Sequence, residues 1–179
     1  MGWTFKLHGG IATALGTALL VLAALTWIPG SLPMSASRWL VPVIVVLFFP
    51  IFISAWVRML LTRADRHSMW LAFRCLSGRV QLVLATLAVA GVAMIIISLA
   101  VERNLQSAEV KDGRYFAFDT TPYARGPVEV TQDQYEAVLE SDQRSMFAIP
   151  GVLFVVAATF VMASGEIRRS DRGFVPSRP

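Results

Sequence analysis

The chain has 179 residues, 55% hydrophobic and 16% charged, with a net charge of +4 and a mean hydropathy of +0.59. A soluble domain carries about 25% charged residues, so this composition excludes an ordinary water-soluble domain and a disordered chain alike. A single cysteine, Cys75, excludes a disulfide scaffold.

Marking every Asp, Glu, Lys and Arg leaves four uncharged apolar stretches: 11–28, 39–57, 80–101 and 145–165. They hold 18, 19, 22 and 21 residues, and a helix needs roughly 20 to cross about 30 Å of hydrocarbon. None has a polar face, so each is read as a transmembrane helix. In the first, Gly10, Ala14 and Ala18 recur every four residues and form a candidate helix-packing stripe, because small side chains let a second backbone approach. Cleavage of this span as a signal peptide after Ala36 is the lesser reading. Its apolar stretch is longer than the 7–15 residues or so of a signal peptide, and Met34 stands where a small residue is needed. In the second span, Pro42 and Pro50 each remove a backbone hydrogen bond, and a kink is expected near Phe48-Phe49-Pro50.

The link between the second and third spans holds Arg58, Arg63, Arg66, Arg74 and Arg79 against Asp65 alone. Met69, Trp70, Phe73 and Leu76 fall there at helical spacing, which predicts a short helix lying at the membrane interface. His67 and Cys75 lack the further ligands of a metal site, and His8 reads as an interfacial residue. The spans themselves contain no ionisable side chain. Gln81, Thr86 and Ser98 are their strongest polar groups, a poor endowment for a proton-coupled transporter working alone.

Between the third and fourth spans, residues 102–144 carry nine acids and five bases. Asp112-Gly113 accepts the positive φ angles of a two-residue hairpin turn and has strand-like flanks. Val128-Glu129-Val130 reads as a further strand. Thr131 and Gln134 form a capping box that opens a helix, with Tyr135, Val138 and Leu139 on its apolar face. Glu140 and Arg144 have the spacing of an i,i+4 ion pair, and the helix runs on toward the fourth span. About 40 residues without a disulfide do not easily sustain a core, so the aromatics here pack on the bundle's end or on a partner. Alternation along the strand puts Tyr115 opposite Phe116 and Phe118, one face structural and the other free. Tyr115, Phe116, Phe118 and Tyr123 are the candidate partner surface, bordered by Phe147 of the fourth span.

Basic residues flank the even number of spans at both chain ends and in the middle link, which predicts that these are cytoplasmic and the acidic link outside. Only Lys6 and Lys111 of the 16 basic residues are lysine, a usage suggesting a GC-rich bacterial genome. The fold class is an all-α integral membrane four-helix bundle with a small extracytoplasmic α+β insertion between the third and fourth spans. The predicted location is a bacterial inner membrane.

No nucleotide loop, zinc set or serine-nucleophile motif is present, so the chain is read as non-enzymatic, with no cofactor, no metal and no nucleic-acid partner. The segment Lys111-Asp112-Gly113-Arg114-Tyr115-Phe116, followed by Val128 to Glu136 and a membrane span, resembles small bacterial, actinobacterial-type four-span proteins of unassigned role. Some of these are similar to immunity proteins of toxin producers. The resemblance covers the last third of the chain and implies an accessory or immunity role, with the bilayer and either a protein partner or a second copy as contacts. The alternatives are a small subunit of an oligomeric transporter or channel and, third, an enzyme acting on lipid.

Overall fold

The structure is a computed structural model that describes residues 2–28, 40–62, 65–101 and 104–173. Ser35 to Trp39, which include the candidate cleavage site, lie outside the described residues, as do Arg63, Glu102 and Arg178. Five helices and one three-stranded antiparallel sheet follow in the order α1 (Trp3–Leu25), α2 (Leu40–Thr62), α3 (Arg66–Arg74), α4 (Gly78–Val101), β1 (Leu105–Lys111), β2 (Arg114–Asp119), β3 (Gly126–Glu129) and α5 (Gln132–Gly173). α1, α2, α4 and α5 are long and apolar enough to cross a membrane.

α1 begins at Trp3, eight residues before the apolar stretch, and so takes Lys6 and His8 into its first turns. His8, read from the sequence as interfacial, is half-buried between helices, its Nε2 3.1 Å from the Ile51 carbonyl of α2. A carbonyl only accepts, so Nε2 is the protonated nitrogen. Ser54 lies 3.5 Å from the same nitrogen and donates to the Pro50 carbonyl at 2.6 Å. Pro42 sits in the first turn of α2, where its missing N–H costs nothing, while Pro50 lies inside a helix that continues past it.

α5 is the hub. It packs against α1 most extensively, and α2 and α4 also lie against it. At 1.5 Å per residue its 42 residues measure about 63 Å, twice a hydrocarbon core, so it projects beyond the bundle. The α1–α5 seam has one spacing on both sides. Phe5, Gly9, Ala12, Gly16, Leu19 and Ala23 of α1 are buried, and so are Phe147, Gly151, Phe154, Ala158, Val161 and Gly165 of α5. Steps of four and three alternate through both sets, the 3.5-residue period of a left-handed coiled coil. Its glycines set the approach: a Cβ on Gly16 would stand 3.0 Å from the Gly151 carbonyl oxygen, and one on Gly9 would stand 2.7 Å from Met162. On α4, a Cβ on Gly91 would meet Val152 at 2.5 Å. Gly10, Ala14 and Ala18 instead face outward, and nothing lies within 4 Å of a Cβ built on Gly10.

α3 forms where the sequence predicts a helix. Asp65 caps it by accepting from the Ser68 N–H at 2.8 Å, and Gln81 reaches back to the Arg74 and Leu76 carbonyls at 2.6 and 2.8 Å. Its buried side turns to the bundle, with Phe73 against the core, and Trp70 stays exposed. The connection through α3, the start of α1 and the end of α5 thus share one end of the bundle, with Phe5 between Arg58 and Arg168. The sheet lies at the other end, on the projecting part of α5.

The hairpin turns at Asp112 (φ 51°) and Gly113 (φ 76°), with Lys111 opposite Arg114, as Asp-Gly predicts for a two-residue turn. Gly113→Val is therefore expected to cost the sheet about 2 kcal/mol, because a β-branched residue at positive φ is strained. Limited proteolysis of the variant should cut residues 105–130 faster and leave the long helices intact. Unchanged cleavage would mean that the turn does not hold the sheet.

Candidate functional site

One side-chain hydrogen bond, and the chain itself where it runs from the sheet edge into the helix, tie the sheet to α5. β1 is bulged between Gln106 and Glu109, where Ser107 has φ 54°, and the Ser107 N–H donates to the Asp142 carboxylate of α5 at 2.9 Å. At the other margin, the Val130 N–H donates to the Tyr115 carbonyl at 2.9 Å. The Thr131–Gln134 capping box then starts α5, with reciprocal bonds of 3.3 and 3.1 Å.

These ties decide which sheet face is buried. Tyr115 packs on Tyr135 of α5 with ring centroids 4.9 Å apart, and Ala117 and Val138 are buried beside them. Phe116 and Phe118 point the other way, as strand alternation requires. Phe118 is 42% exposed, and Phe116 is partly covered. Register supplies the surroundings: Phe116 stands between Glu109 and Glu129, and Phe118 between Gln106 and Pro127. Lys111 pairs with Glu109 at 3.0 Å and Arg114 with Glu129 at 3.6 Å. An aromatic centre with a charged rim is the usual anatomy of a protein-binding patch. Phe147 does not border it. That ring is fully buried in the α1–α5 seam with Leu19, Ala23 and Phe154.

Beyond β2 the chain makes a turn that displays Tyr123. The Ala124 N–H bonds to the Thr121 carbonyl at 3.1 Å, so Thr121-Pro122-Tyr123-Ala124 is a hydrogen-bonded β-turn. Proline at its second position and a φ of 74° at its third match a type II turn, whose third position usually holds glycine or asparagine. Here it holds a fully exposed tyrosine. The turn is held from below. Thr121 donates to the Asp119 carboxylate through its hydroxyl at 2.6 Å and its N–H at 2.8 Å, which keeps that carboxyl below its ordinary range. Thr120 bonds to the Asn104 carbonyl through its N–H at 2.7 Å and its hydroxyl at 2.9 Å.

At the junction of sheet and bundle stands Arg144, paired in the sequence reading with Glu140. Its side chain is buried: Nε donates to the Thr26 hydroxyl at 3.2 Å, Nη2 donates to the Thr26 carbonyl at 3.3 Å, and the guanidinium lies 4.3 Å from the centre of the Trp27 ring. Nothing in the local spacing around Arg144 announced this role, because its partners lie 118 residues away. Among the described residues, no group of three His, Cys, Asp or Glu side chains is placed to hold a metal ion.

No family model, no curated protein and no solved structure matches the chain.

Proposed function

We propose that this chain is a non-enzymatic integral membrane protein of a bacterial cytoplasmic membrane, of accessory or immunity type. Its two ends lie in the cytoplasm, and its sheet, outside, binds a protein partner. The observation that carries this reading is Tyr123: a bulky residue in a left-handed conformation costs of order 1–3 kcal/mol, and its fully exposed ring recovers none of that by packing. Strain kept at an exposed aromatic is what a recognition loop requires. Phe118, exposed on the strand face whose neighbouring Phe116 is flanked by the charged pairs of Glu109 and Glu129, supplies a second aromatic contact.

The test compares stability with binding. Tyr123→Asn relieves the backbone and should leave thermal stability in detergent equal or higher by about 1 kcal/mol. It should also abolish recovery of the partner in a crosslinked pull-down from the native membrane. Phe118→Ala should behave similarly, whereas Tyr115→Ala should lower stability by about 3 kcal/mol through loss of the Tyr135 contact. Full partner recovery by both Tyr123→Asn and Phe118→Ala would sink the reading.

Orientation has its own test. Cys75 is exposed at the end of α3, and a cysteine placed at Ser141 would mark the sheet end. With the arginine-rich end inside, an impermeant thiol reagent on intact cells labels the Ser141→Cys site and not Cys75. Labelling of Cys75 from outside would reverse the orientation.

A second reading, a small subunit of an oligomeric transporter, is favoured by the outward Gly10–Ala14–Ala18 stripe and by the nearly unburied α2. Substrate flux through the purified protein in liposomes would support it over partner binding.

A further inference from the structure

The arginine-rich end of the bundle contains a cavity that the partner-binding reading does not use. It measures about 480 Å³ and lies between the start of α1 and the last turns of α5, walled by Gly2, Trp3, Thr4, Gly165, Arg168 and Arg169. That volume falls within the roughly 300–1,000 Å³ of small-molecule sites. We propose that it binds the phosphate of one anionic lipid headgroup.

Charge is the first argument. Arg168 and Arg169 line the cavity, and Arg58 lies just behind it. Arg58 and Arg168 both stack on the Phe5 ring, with guanidinium carbons 4.5 and 5.5 Å from its centre. One aromatic ring therefore carries two cations, and its quadrupole offsets only part of their charge. Among the described side chains, the one ion pair here is Glu166 with Arg169 at 3.4 Å. A phosphate in the cavity supplies the missing negative charge, and the planar forks of Arg168 and Arg169 suit its oxygens.

Shape and position supply the second argument. Gly2 and Gly165 add no side chains to the walls. α1 has no acid in its first turn and no side-chain cap, which leaves the positive end of its dipole uncompensated beside the cavity. The cavity lies at the end of four apolar helices, and Trp3 on its rim is 76% exposed, as tryptophan is at headgroup depth. That depth selects a lipid phosphate over a soluble one.

The test is native mass spectrometry of the full chain in a zwitterionic detergent with equimolar phosphatidylglycerol and phosphatidylcholine. The chain should retain one phosphatidylglycerol in preference. Arg168→Gln with Arg169→Gln should lower that preference roughly thirtyfold, given about 1 kcal/mol for each basic residue near a lipid surface and about 1.4 kcal/mol for each factor of ten. Arg74→Gln, exposed on α3 and outside the cavity, should change it far less than the cavity pair does. If losing the Arg168 stack on Phe5 unfolds the double variant, Arg169→Gln alone carries the test, because Arg169 is exposed. An unchanged preference in the cavity variants overturns the site. An equal loss with Arg74→Gln reduces it to general electrostatic attraction and overturns it too. Release of the lipid by millimolar glycerol phosphate would show a site for soluble phosphate esters and overturn the lipid assignment. None of these outcomes depends on Tyr123 or on a protein partner.

Discussion

Gly16→Leu is expected to separate α1 from α5 and to leave little folded protein in detergent. A Cβ at this position already stands 3.0 Å from both the Gly151 carbonyl oxygen and a Val155 methyl, and 3.3 Å from the Val155 nitrogen. Two of these three are backbone atoms, which cannot swing aside as a flexible side chain can. Overpacking a core costs about 1–3 kcal/mol where side chains can adjust. Against fixed backbone the cost should exceed about 3 kcal/mol. In lipid the loss is not regained elsewhere, because apolar side chains gain nothing by leaving hydrocarbon, and close packing is what holds helices together. Ala14→Leu is the control. It lies on the outward face and should leave monomer stability within about 0.5 kcal/mol of the parent. Thermal unfolding of the two variants in the same detergent separates them. A normal transition for Gly16→Leu would mean that the seam is not where the fold is held. If Ala14→Leu changes the oligomeric state while the monomer melts normally, the outward stripe serves contact between copies.

The difference between these two positions shows how far the sequence could be read. The four apolar helices were legible from charge gaps alone, because an ionisable group in hydrocarbon is costly enough to mark a span's limits. The hairpin turn and the capping box were legible because each rests on residues within three positions of one another. Face assignment in the sheet followed from a period of two. The packed face of α1 was not legible in the same way. Both stripes contain glycine and alanine at helical spacing, and a strict step of four leads to Gly10, Ala14 and Ala18. The true seam alternates four and three, a period visible only beside the matching pattern on α5. The beginning of α1 was missed for a related reason: a charge gap marks hydrocarbon, and a helix can extend past it. Lys6 and His8 ended the apolar stretch without ending the hydrogen-bond ladder.

Arg144 was the position least open to sequence reading, and its removal should be the most informative single loss at the sheet end. Helix α1 ends there: Thr26 closes its last turn by donating its hydroxyl to the Ala23 carbonyl at 2.7 Å. The Thr26 carbonyl and the negative end of the helix dipole remain. The guanidinium answers both, with a direct bond to that carbonyl and a cation at the helix C-terminus. Arg144→Leu keeps much of the volume and removes both, leaving the Thr26 carbonyl to find a new donor. Charged hydrogen bonds and the dipole contact together predict a loss of about 3 kcal/mol. Arg144→Lys retains the charge without the planar fork or the stack on Trp27, and should recover about half. A double-mutant cycle with Thr26→Val assigns the cause. If the Thr26 contact carries the effect, the pair should cost less than the sum of the single variants by about 1–2 kcal/mol. Simple additivity would assign the loss to other contacts of Arg144. The consequence reaches the proposed partner surface, because Asp142, which holds the bulge of β1 at Ser107, lies only two residues before Arg144 on α5. Freed from α1, this stretch of α5 no longer fixes the direction in which the sheet presents Phe118 and Tyr123. Arg144→Leu should therefore weaken partner recovery even at temperatures where the long helices remain folded, and Arg144→Lys should restore recovery in proportion to the stability it regains.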